Sequence, residues 1–62
     1  MRQTYQIRMV VTTTGPDGSE IEGRLEGQVR AQDPVDARRK AIASAQGCGL
    51  WVRYFESVEV VA

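Results

Sequence analysis

The strongest nucleophile this chain could offer is the thiol of Cys48, set between Gly47 and Gly49 in "QGCGLW". A thiol, or the hydroxyl of Ser19, Ser44 or Ser57, attacks a substrate only when a base or a cation activates it. The chain contains no histidine. It therefore has no imidazole base and cannot build the common zinc sets. Cys48 also follows a predicted helix end, where the negative pole of the helix dipole disfavours a thiolate. The expectation is an inert, small, partly buried loop residue. Glu20, Glu22 and Glu26 recur on one side of a predicted strand. Carboxylates on a flat, wet surface lack the burial that tunes an acid or a base. The glycines of "GCGLW" close a helix instead of opening one, so they offer no helix N-terminus to a phosphate and fit no dinucleotide or P-loop fingerprint. No activated constellation is found, and the expectation is a protein that is not an enzyme and carries no cofactor or metal.

Two features suit binding. One is the basic run Arg38, Arg39, Lys40. Successive helical residues fan out by about 100°, so Arg39 and Lys40 should be solvated. Arg38 falls near the middle of the side expected to be buried. It either lays its alkyl stem across the helix–sheet edge and pairs with a carboxylate, or contacts a partner. The other feature is "LWVRYF". Trp51, Arg53 and Tyr54 are residue types that concentrate in interface hot spots, although a small chain also needs its aromatics for packing.

These residues must be placed by a few short elements. From Tyr5 the sequence alternates, with Tyr5, Ile7, Met9 and Val11 on one face, which is the pattern of a half-buried strand. "TGPDGS" follows. Pro16 and Asp17 suit the two central turn positions and Gly18 the left-handed position after them, so a hairpin is expected. The second strand alternates strictly: Ile21, Gly23, Leu25, Gly27, Val29 and Ala31 against Glu20, Glu22, Arg24, Glu26, Gln28 and Arg30. Then "DPVDARRKAIASAQG" carries Asp33 as a cap, Pro34 at the first helical position, Asp36 in the first turn and Gly47 as a stop. Ala37, Ala41, Ala45, Ile42 and Val35 share one helix side. This alanine-rich side is expected to rest on Gly23 and Gly27, which would permit close approach. The final "LWVRYFESVEVVA" is β-branched and aromatic. Its alternation puts Trp51, Arg53 and Phe55 on one face and then breaks; either one bulge near Glu56–Ser57 brings Phe55, Val58 and Val60 to a common side, or the segment is two short strands. The expected fold is one α+β domain over residues 1–62, in the order β-β-α-β. A right-handed crossover makes the third strand parallel to the second, giving a three-stranded sheet of order 2-1-3 with one helix on one face.

A chain of 62 residues buries only about 60% of its unfolded surface and is marginal alone. With a single cysteine an internal disulfide is impossible, which leaves oligomerisation as the usual support. One helix leaves a sheet face uncovered, and some of Val10, Val52, Tyr54 and Val61 should lie there. A homodimer is expected through the third strand, by way of Val52, Tyr54 and Val61, because the charges of the second strand blunt association at the other edge. The formal net charge is zero, which argues against general attraction to nucleic acid or anionic membrane. No apolar run approaches the roughly 18 residues of a membrane span. The charged, alternating start is unlike a signal peptide, and a lone reduced thiol suits the cytoplasm.

The stretch "GQVRAQDPVDARRKAIASA" resembles small phage- and mobile-element-encoded accessory proteins. In these, a strand ending in V-x-A is followed by an acidic stop and an alanine-rich helix. The resemblance implies a β-β-α-β module and, as in the anti-CRISPR-like members, inhibition of host defence by stoichiometric binding in the cytoplasm of a bacterial host. It carries no site residue with it. The expected function is a non-enzymatic protein-interaction module whose partner contacts are Arg38, Trp51, Arg53 and Tyr54. The alternative is a small nucleic-acid-binding module using Arg38, Arg39, Lys40, Arg53 and the third-strand aromatics. A third reading, that the Glu20–Glu22–Glu26 row mimics phosphates, is weakened by Arg24 and Arg30, which interrupt it.

Overall fold

The computed structural model describes residues 2–61. Four elements follow one another: β1 (Gln3–Thr14), β2 (Glu20–Ala31), α1 (Pro34–Gly47) and β3 (Trp51–Val61). They form a three-stranded sheet in the order β2-β1-β3. Both outer strands are antiparallel to β1 and so parallel to each other. This is the α+β, β-β-α-β architecture that the alternation and the helix signals imply.

The hairpin follows its turn chemistry. Gly18 N–H donates to the Gly15 carbonyl (3.0 Å) across Pro16 and Asp17, and Gly18 has φ +84°. The Asp17 carboxylate accepts from the Ser19 hydroxyl (2.6 Å) and N–H (3.0 Å), and these bonds lower its pKa below the ordinary carboxylate value. From there β1 and β2 pair without a break, from Thr14↔Glu20 to Gln3↔Ala31.

The helix begins at Asp33, whose extended backbone frees its carboxylate to accept from the Asp36 N–H at 2.7 Å. Asp36 reaches back to the Gln32 N–H (3.2 Å), so cap and first turn satisfy each other's free donors. At the other end the stop lies two residues beyond the expected one. Gly47 is still helical, and Gly49 takes the left-handed conformation, with φ +78°. The Leu50 N–H bonds the Ala45 carbonyl (2.9 Å) and the Gly49 N–H bonds that of Gln46 (3.0 Å). This is the Schellman pattern, and Leu50 packs against the core as it closes.

Tyr5, Ile7, Met9 and Val11 meet Ala31, Ala37, Ala41 and Ala45 in a single buried cluster, with Val29, Leu50, Val52, Phe55 and Val58 packed around it. Small helix residues let α1 sit close over these larger strand residues. Two expectations fail here. Val35 is 70% exposed, because the buried stripe is the narrow i, i+4, i+8 row of alanines. Gly23 and Gly27 do not lie under that row: a Cβ built on either meets no atom within 4 Å. A 14-residue helix is only about 21 Å long, whereas a 12-residue strand extends about 40 Å. The helix covers β1 and its borders and leaves most of β2 exposed.

Candidate protein-interaction surface

The face of the sheet away from α1 carries Thr4, Gln6, Arg8, Val10 and Thr12 of β1. Their cross-strand neighbours are Arg30, Gln28, Glu26, Arg24 and Glu22 on one side, and Val61, Glu59, Ser57, Tyr54 and Trp51 on the other. The register of β3 slips twice. Phe55 opposes Met9 and Ser57 opposes Arg8, so Glu56 is an extra residue; Tyr54 opposes Val10 and Val52 opposes Val11, so Arg53 is another. The first bulge lies where the broken alternation places it. The second, at Arg53, is not apparent in the sequence, because "WVRYF" reads equally well as a regular strand; it turns Trp51 to the open face while Phe55 faces the helix, so the two do not share the face expected for them.

Both extra residues act on this face. Arg53 Nη1 lies 2.9 Å from Glu22 Oε2, and Arg24 Nε lies 3.3 Å from Glu56 Oε1. These pairs join β2 to β3 and so pass over β1. Val10, the residue between Arg24 and Tyr54, is only 3% exposed, and Thr12 beside it is buried. The uncovered apolar patch expected at Val10 is therefore absent. Long stems cover it while their charged heads stay in water. A third pair, Arg8 Nε–Glu26 Oε1 at 2.9 Å, continues the lattice. Glu22 and Glu26 are thus matched by arginines, which leaves no bare acidic row to imitate phosphates.

Trp51 is 62% and Tyr54 53% exposed on this face, flanking Arg53. The structure brings these three candidate residues together and separates the others from them. Arg38 belongs to α1, on the opposite side of the sheet. It is exposed and makes no ion pair or hydrogen bond among the described residues, so the carboxylate partner expected for it is missing. Lys40 takes the edge position instead: its ammonium donates to the Arg30 carbonyl (2.8 Å) and lies 3.4 Å from Asp36. Arg39 binds Asp36 at 2.6 Å. The Arg39 guanidinium and the Gln32 N–H hold the Asp36 carboxyl at about 2. Val52 packs with the helix-side cluster and is not on the open face. Val61 is on the open face, but opposite Thr4, at the far end from Trp51.

Cys48 caps the helix and is exposed, not partly buried. No group of three or more metal-ligating side chains occurs among the described residues, and no helix is long and apolar enough to cross a membrane. On the helix side, an open groove of about 220 Å³ runs between α1 and β2, lined by Ile7, Met9, Leu25, Gly27, Val29 and Ala41. Sequence alternation shows the apolar row of β2 but not that the helix misses it. No family model, curated protein or solved structure matches the chain.

Proposed function

We propose that this chain is a non-catalytic protein-interaction module that binds another protein through Trp51, Arg53 and Tyr54. The observation that carries this reading is the exposure of a tryptophan and a tyrosine, side by side on a paired strand, with an arginine held between them by Glu22. Aromatic side chains lose little conformational freedom on binding and supply large contact areas, and arginine adds directional bonds at the same spot. Stoichiometric inhibition, as in the small phage accessory proteins that its helix region resembles, is the form of action this reading takes. The basic helix residues support nucleic-acid binding less well, since Arg39 and Lys40 are engaged by Asp36 and α1 lies on the other side of the sheet from Trp51 and Tyr54.

Affinity capture from a bacterial lysate tests the reading. The wild type should retain a protein at fixed stoichiometry. Trp51→Ala and Tyr54→Ala should each weaken retention about tenfold or more, with melting temperatures little changed, and Arg38→Ala should retain it fully. Retention that survives the loss of both aromatics would contradict the reading.

A further inference from the structure

We infer that β2 is a self-complementary edge at which a second copy of this chain docks, with Leu25 on the two-fold axis. The inference concerns a different surface from Trp51–Tyr54 and does not depend on it.

The free edges differ. β3 is broken by two bulges, which twist an edge and end its pairing. β2 is twelve residues long and regular throughout. In an antiparallel ladder a residue turns both its N–H and its C=O to the same neighbour, and the next residue turns both the other way. The Gly15 N–H donates to the Ser19 carbonyl (2.7 Å), so Thr13 and the odd residues before it bond to β2. Their odd-numbered partners on β2 bond inward. The even residues from Glu20 to Arg30 therefore present their backbone groups to the free edge. The Arg30 carbonyl is taken by Lys40, which leaves Glu20–Gln28 and the Arg30 N–H as the open ladder.

A symmetric antiparallel pair must then set even residues against even residues, and the charges select one register. Centred on Leu25, Arg24 meets Glu26 of the second copy, Glu22 meets Gln28, and Glu20 meets Arg30. Centring on Arg24 or Glu26 puts that charge against itself. Centring on Gly23 opposes Glu20 to Glu26, and centring on Gly27 opposes Arg24 to Arg30. Opposite charges directly across a ladder stabilise it and like charges destabilise it, so among the registers centred on Gly23 to Gly27, which keep most of the edge paired, only the Leu25 register is free of conflict. The same register places Leu25 against Leu25 and Ile21 against Val29 on the helix side. Ile21 is 49% and Leu25 36% exposed there, and Leu25 lines the groove. The product is a six-stranded sheet with both helices on one face and the two grooves merged between them.

Light scattering behind a sizing column tests this with a charge exchange. Glu20 and Arg30 make no ion pair within the described chain, so exchanging them leaves the internal lattice intact. The wild type should run at twice the chain mass at micromolar concentration. Glu20→Arg and Arg30→Glu should each weaken the dimer about tenfold or more, by setting two like pairs across the axis. An equimolar mixture of the two variants should recover the dimer as a mixed pair, which also shows that both are folded. Tyr54→Glu should leave the dimer intact. A wild type that stays monomeric at high micromolar concentration overturns the inference, as does a dimer indifferent to both exchanges or one dissolved by Tyr54→Glu. A monomer whose groove takes up an apolar dye would assign that groove to a small apolar ligand and overturn it equally.

Discussion

Asp36 serves two ends of the same short segment: its carboxylate holds the Gln32 N–H before the helix and the Arg39 guanidinium within it. Its pKa is lowered from 3.8 to about 2, chiefly by Arg39 and then by the Gln32 N–H. A lowered carboxylate pKa means that the unfolded chain binds the proton more tightly. The stabilisation is therefore present above pH 3.8 and is lost as pH falls towards 2. Thermal melts should show Asp36→Asn less stable than wild type at neutral pH, with the gap closing between pH 4 and pH 2; a constant gap would mean the carboxylate charge is irrelevant. The arginine stems over Val10 make a second residue-level case. Exposed ion pairs are worth about 0–1 kcal/mol, so a double-mutant cycle on Glu22 and Arg53 should return a small coupling. Val10→Thr at this covered site should cost more than that coupling, about 1–3 kcal/mol in a denaturant titration, because it buries a hydroxyl.

The two glycines that flank Cys48 separate the roles of local elements. Gly49 has a positive φ, which costs a residue with a Cβ about 1–2 kcal/mol, so Gly49→Ala should destabilise the fold by that order. Gly47 is helical, and a Cβ there meets nothing. Gly47→Ala should stabilise by about 0.4–1 kcal/mol. Opposite signs in paired urea titrations are the expected result. The hairpin, the cap, both faces of β1 and the strand order were legible in "TGPDGS", "DPVDARR" and the alternation from Tyr5, since each is dictated by backbone conformations that few residues tolerate. Three things were not. The helix stop slipped from Gly47 to Gly49 because both glycines suit it, and only the bond from Leu50 to Ala45 decides between them. Val35 is expected inside because periodicity gives the direction of a helix face and not its width. Gly23 and Gly27 are expected beneath the helix because small residues on two elements suggest contact, yet the chain path from Ala31 to Trp51 carries α1 over β1 and away from them.

At the scale of the molecule the two sides of the sheet divide their tasks. The open side is closed over its apolar centre by arginine–carboxylate pairs and presents Trp51 and Tyr54 at one end. The helix side buries the core against β1 and leaves the apolar row of β2 exposed. The site residues expected from the sequence were thus half gathered: Trp51, Arg53 and Tyr54 lie together, while Arg38 is on the far side and Val52 faces the core. Residue type marks them as candidates; only the second bulge in β3 determines which share a face. Site-specific photo-crosslinking in bacterial extract tests this division most directly, with the reactive group placed in turn at Tyr54, Leu25 and Arg38. The account predicts a single foreign protein adduct from position 54, a chain-to-chain adduct from position 25, and neither from position 38. A foreign adduct from position 38 with none from position 54 would contradict it.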